Sequence, residues 1–230
     1  MHQIRPIVIE PRPWGYMPAL RAVAMLAMVS AIGGCSLIGF AAHVIAGDPA
    51  SRTVTVSAQY DGLDHQAVAV LVSADEYTYF EHPDATSAVC QHVSALLASS
   101  IPGVRVIDPH QIDAFQKKNP FWNTLPYGDL LQRLQVHRLI YIDLIRYTLH
   151  EPGNTYVWRG AVAANVGVAA GEVSDPNQFV FNTTVEAHYP QSGSIGVVNA
   201  DKATIRFGLL QSFTKQIVDL FQDHDETVKP

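Results

Sequence analysis

Apolar and polar residues along this chain fall into three kinds of pattern. Residues 22–46 form one long apolar stretch, interrupted only by the polar Ser30, Ser36 and His43 and preceded by Arg5, Arg12 and Arg21. Beyond the turn-forming 47–51, strand-like and helix-like periods take over. Residues 53–57 alternate and are β-branched, which predicts a strand. Residues 67–72, AVAVLV, are continuously apolar, the pattern of a strand buried on both faces. The polar stretch 73–79 is expected to loop out. A helix is predicted from His82-Pro83-Asp84 to residue 99, with Val89, Cys90, Val93, Leu96 and Leu97 sharing one face. A short strand over 104–107 runs into Asp108-Pro109, an N-cap followed by a proline at the first helical position. That helix turns Ile112 and Phe115 inward and stops near Asn119-Pro120. A third helix, 127–135, carries Leu130, Leu131 and Leu134.

The second half reads differently. Residues 139–149, 156–168 and 179–189 predict three long strands in an antiparallel meander, turned first by Pro152-Gly153-Asn154 and then by a loop over 169–177. Asp201 caps a last helix reaching residue 221, whose Ile205, Leu209, Phe213, Ile217 and Leu220 form a regular stripe. The charged tail 222–230 is expected to fray. Helix–strand alternation followed by a meander predicts an α/β (α+β) fold. It is a two-layer sandwich whose mixed sheet ends in an antiparallel meander, with a long C-terminal helix. The expected organisation is an export signal over 1–34, an anchor cysteine and tether over 35–52, one globular domain over 53–221, and the tail.

Composition fits a packed domain: 48% of residues are hydrophobic and 16% charged. Cleavage before Cys35 would leave 196 of the 230 residues, with 12 basic and 20 acidic side chains and a net charge near −8. An acidic body without a basic run excludes nucleic acid as a partner, because phosphate neutralisation needs clustered Lys and Arg. Membrane attachment must then come from an anchor and not from surface charge.

Arg21, the apolar run 22–32 and the small-residue zone Gly33-Gly34 before Cys35 are the three parts of a bacterial export signal. The order Ile32-Gly33-Gly34-Cys35 resembles the lipobox of bacterial lipoproteins, which implies an acylated Cys35 as the membrane anchor. Ser36 after it resembles the residue found in lipoproteins sorted to the outer membrane. Two other readings export the same body: 22–46 retained as one spanning helix, long enough to cross a bilayer, or cleavage without lipid. Two adjacent glycines suit a helix interior poorly and favour processing. With Cys35 acylated, Cys90 has no intramolecular partner, so no disulfide is expected. Its place in the apolar stripe marks it as a core thiol.

The element order also carries a resemblance. A buried strand (67–72), a helix, a short strand entering Asp108-Pro109, and a Leu-rich helix leading into a long strand (130–149) resemble the periplasmic α/β domain of three groups. These are the curli-secretion lipoproteins, the penicillin-binding-protein activator lipoproteins, and the amino-terminal domain of the Tol-system translocation protein. Cys35 with the Ser-Leu-Ile-Gly-Phe-Ala-Ala-His that follows it, and Ala58-Gln59-Tyr60-Asp61-Gly62-Leu63, are similar to bacterial lipoproteins of unknown function. The resemblance implies an assembly or interaction module on the periplasmic side, with an envelope protein as partner, no cofactor and no catalytic residues.

Few residues suggest chemistry of their own. The ten histidines include no His-x-x-x-His pair beside a carboxylate, and His82 and His92 straddle a loop-to-helix junction, so no metal site is expected. No Gly-x-Ser-x-Gly elbow, Walker loop or dinucleotide fingerprint is present, and Ala169-Ala170-Gly171 is a poor phosphate cradle. Asp143 lies in an apolar strand. Strict alternation places it on the face of Leu139, Tyr141, Ile145 and Tyr147, with Arg146 opposite. A buried carboxylate needs a partner, and Arg159 on the next strand is the expected one. Phe121-Trp122 in a predicted loop is a candidate partner contact, or else covers the core. Asn182-Thr183-Thr184 matches a glycosylation sequon that means little inside a bacterial strand. The functions carried forward are a non-catalytic envelope module, a subunit of an oligomeric secretion channel, and an envelope hydrolase pairing Asp143 with a histidine.

Overall fold

The computed structural model describes residues 52–151, 153–191 and 200–228. Their elements are β1 (Arg52–Val56), β2 (Ala67–Ala74), α1 (Glu76–Glu81), α2 (Ala85–Ser100), β3 (Arg105–Val106), α3 (Pro109–Lys118), a 3₁₀ turn (Trp122–Thr124), α4 (Tyr127–Leu134), β4 (Arg138–Glu151), β5 (Asn154–Ala170), β6 (Phe179–Tyr189), α5 (Lys202–Asp219) and β7 (His224–Val228). The chain divides into a compact unit, Thr55–Glu226, and a second unit made of Met1–Val54 with Thr227–Pro230. Of the second unit only 52–54 and 227–228 are among the described residues, where they belong to β1 and β7. The export-signal and lipobox residues, Cys35 included, lie outside them.

Five strands form a mixed sheet in the order β3-β2-β4-β5-β6. β2 pairs in parallel with β3 and β4, while β4, β5 and β6 run antiparallel. This is the predicted mixed sheet with its meander. One face carries Val70, Ile140, Ile142, Leu144, Val166 and Val168, all buried. Against it pack α2 and α5, whose stripes come from the expected positions: Val89, Val93 and Leu97, then Ile205, Leu209, Phe213 and Ile217. At Gly208 an added methyl would run into the Tyr189 ring, so the glycine is what lets α5 lie against β6.

Cys90 sits in this layer, buried, with its thiol donating to the Val70 carbonyl at 3.3 Å. Burial pushes the thiol from an ordinary value of 9.0 up to about 11. The folded state therefore holds the proton more tightly than the unfolded chain. The stability this gives is complete below pH 9 and is lost as pH rises towards 11. At pH 8, Cys90 is expected to resist alkylation in the native protein and to react fully once denaturant unfolds it. Mass spectrometry of alkylated samples checks this.

Helix starts follow local chemistry. Asp75, Asp108 and Asp201 each accept a hydrogen bond from a first-turn amide, of Thr78, His110 and Thr204, at 2.8, 2.8 and 2.7 Å. Asp75 explains one departure from the sequence reading. The stretch expected to loop out is the end of β2 followed by α1, a short helix that Asp75 caps. The tail departs as well. Residues 224–228 do not fray but form β7, which pairs with β1 in a two-stranded sheet. Thr55 Oγ1 donates to Asp225 at 2.8 Å and the Ala58 amide to Asp223 at 2.9 Å, so the tail's acidic side chains hold the N-terminal strand.

Candidate functional site

The sheet face opposite α2 and α5 carries the site, and two β-bulges build it. Between Leu144 and Arg146 the β4–β5 register shifts by one residue, leaving Ile145 over. The shift moves Arg146 onto the face of Asp143, opposite Ala163, and carries Tyr147 to the core face opposite Val162. Strict alternation had put both on the wrong side. A second shift in β5–β6 sets Phe179 opposite Ala169 and leaves Val180 over. Phe179 thereby faces the Asp143 side while Phe181 turns to the other. Both left-over residues, Ile145 and Val180, are exposed.

Phe179 lies over Gly167, where an added methyl would come within 2.6–2.7 Å of three ring carbons. A glycine in mid-strand here marks close approach of a ring to the backbone. The Phe179 ring stacks on Tyr127 with centroids 4.4 Å apart, and Tyr141 stands 5.5 Å from Tyr127. Tyr127 is held at the start of α4, whose N-terminus has no side-chain cap of its own. Instead the Gly128 amide donates to Asn177 Oδ1, at 3.0 Å, from the β5–β6 loop. Together Tyr127, Tyr141, Asp143, Asn165, Gly167, Phe179, Asn182 and Thr183 line a cavity of about 260 Å³.

Asp143 is half-buried at this cavity. The expected ion pair with Arg159 does not form, because Arg159 lies further along β5 and pairs with Glu151 at 3.3 Å. Asp143 Oδ1 instead accepts a hydrogen bond from Ser73 Oγ at 2.7 Å, across the parallel β2–β4 pairing. Among the described residues this is its one hydrogen bond, and no cationic side chain lies within ion-pair distance. Burial pushes the phenols of Tyr79, Tyr127 and Tyr141 above their ordinary range, and the Asp143 charge pushes the same way. All three remain hydroxyl donors at neutral pH.

The structure separates the candidate contact pair. Trp122 is 7% exposed, packed 6.0 Å from Tyr141 as part of the core, whereas Phe121 is 79% exposed. Among the described residues the histidines are dispersed: the His82 ring lies edge-on to Tyr147, and His92 donates to the Ala88 carbonyl. Among the described residues no group of three His, Cys, Asp or Glu side chains is placed to hold a metal ion. None of their helices is long and apolar enough to cross a membrane.

One cluster escaped the sequence reading. Arg138, at the start of β4, is only 8% exposed. Its Nε donates to the Tyr60 hydroxyl and the Gly62 carbonyl, each at 3.0 Å, and Nη1 to the His137 carbonyl at 3.1 Å. Glu172 closes a two-pronged ion pair on the guanidinium, with Nη1 to Oε2 at 2.6 Å and Nη2 to Oε1. The Arg138 bond holds the Glu172 carboxyl below the usual carboxylate range. The only signal was a cation immediately before the apolar run Leu139–Ile140, with an acid just past the end of the partner strand.

No family model matches the sequence, and no curated protein matches it. In three dimensions the chain is similar to the PelC dodecamer from Paraburkholderia phytofirmans, at 10% identity over 75% of this chain and 98% of that chain, with a TM-score of 0.45. It is similar to lipoprotein GNA1162 from Neisseria meningitidis, at 13% identity over 66% and 98% of the two chains, with a TM-score of 0.44. It is also similar to the hypothetical protein CT253 from Chlamydia trachomatis, at 11% identity over 67% and 96%, with a TM-score of 0.44. These likenesses concern the arrangement of helices and strands alone.

Proposed function

We propose that this chain is a bacterial lipoprotein, anchored by an acyl group on Cys35, whose body faces the periplasm and serves as a non-catalytic assembly or interaction module. The observation that carries the reading is Ile32-Gly33-Gly34-Cys35 placed after Arg21 and an apolar run. Ser36 favours the outer membrane. An envelope protein is the proposed partner, with the exposed Phe121 as one of its contacts.

The two other functions rest on weaker footing. A hydrolase needs a histidine beside Asp143, and the cavity that Asp143 lines contains none. A membrane-spanning channel hairpin needs an uncovered apolar face. On β5 and β6 one face packs against α5, and the other carries Asn165, Asn182, Thr184 and Glu186.

Fractionation of cells tests the anchor. The protein should sediment with membranes, and Cys35→Ala should shift it to the soluble periplasmic fraction or leave it as unprocessed precursor. A Cys35→Ala variant with unchanged processing and sedimentation would contradict the reading.

A further inference from the structure

The cavity beside Asp143 has a composition that the anchoring reading does not use. We propose that it binds a small organic ammonium ion, with Asp143 as counter-charge and Tyr127, Tyr141 and Phe179 as walls.

Charge comes first. Asp143 supplies the only formal charge in the lining, and its one hydrogen bond among the described residues, from the neutral Ser73, leaves that charge uncompensated. A carboxylate half-withdrawn from water attracts a cation more strongly than one on the open surface. The aromatic walls then select the kind of cation. Rings present a negative face to weakly hydrated ammonium groups, and an aromatic wall beside a carboxylate is the chemistry that recognises them. A hydrated metal ion is disfavoured, since among the described residues that line the cavity no second carboxylate, histidine or thiolate joins Asp143. Size agrees, because about 260 Å³ lies below the range that accommodates drug-sized ligands and suits a compact head group. Asn165 and Asn182 add carboxamides at the rim. Thr184 Oγ1 donates to Asn165 Oδ1 at 3.0 Å, which fixes that side chain. The site also depends on two features that sequence periodicity hides: the β6 bulge that brings Phe179 to this face, and Gly167 of β5, which admits its ring.

Titration calorimetry on the protein as extracted from membranes in neutral detergent tests the proposal with three probes: choline, its uncharged tert-butyl analogue, and n-butylammonium. At least one of the two cations should bind saturably, and about tenfold or more tighter than the uncharged analogue. Preference for choline identifies a quaternary head group as the natural ligand class, and preference for n-butylammonium a primary amine. Asp143→Asn, which retains a partner for Ser73, should abolish the discrimination between charged and uncharged probes. Tyr127→Leu should weaken binding with an unchanged thermal melt. Absence of saturation by both cations would overturn the site. So would an uncharged analogue that binds as tightly as either cation, a comparison on the unaltered protein that needs no variant to fold.

Discussion

Arg138→Ala is expected to destabilise the protein by about 2–4 kcal/mol, whereas Glu172→Gln, on the other side of the same ion pair, should cost less than about 1 kcal/mol. The asymmetry follows from burial. Glu172 is largely exposed, so its charge is screened by water, and glutamine in its place leaves the Arg138 guanidinium on the Gly62 and His137 carbonyls and the Tyr60 hydroxyl. Arg138 is buried and donates to the Gly62 and His137 carbonyls and to Tyr60 as well as to Glu172. Alanine would leave these acceptors without their donor next to the Tyr60, Phe181 and Phe221 rings, which stand 5.7–6.3 Å apart at this end of the core. Arg138→Lys keeps the charge but not the planar fork, and should fall between the two. Urea denaturation of the three variants checks the order. Equal losses for Arg138→Ala and Glu172→Gln would mean that the exposed ion pair, and not the buried hydrogen bonds, carries the stabilisation.

The second large effect lies on α5. Phe213→Ala should cost about 3–5 kcal/mol, and Phe207→Ala on the same helix less than about 0.5 kcal/mol. Phe213 is 0% exposed between α5 and the sheet, and its removal leaves a cavity that the surrounding Leu and Val side chains fill only in part. Phe207 is 62% exposed. Thermal melts of the two variants would separate the readings. A large loss at Phe207 would show that this ring is covered in the working protein, for instance by a partner or a second copy.

That helix also shows how much of the fold could be read from the sequence. Its stripe was legible because helical periodicity runs uninterrupted from Ile205 to Ile217, and the β6 boundaries were legible because Phe179 and Tyr189 are bracketed by turn residues. The site was not legible, for a specific reason. Side-chain faces along a strand follow from counting by two, and a bulge adds one residue that no count reveals. Ile145 and Val180 are those residues. They bring Arg146 and Phe179 onto the face of Asp143 and take Tyr147 off it. Asp143 itself could be singled out as a charge in an apolar strand. Its partner could not, because Ser73 comes from β2, on the side of β4 away from Arg159. β7 was not legible because His224-Asp225-Glu226-Thr227 is a continuous polar run without the period of two that marks a strand.

One measurement reaches the Cys35 anchor directly: the intact mass of the protein extracted from membranes, beside that of Cys35→Ala. Acylation at Cys35 requires loss of residues 1–34 and the added mass of acyl chains, both absent from the variant. A full-length, unacylated mass would contradict it, and would make residues 22–46 an uncleaved anchor in place of a signal.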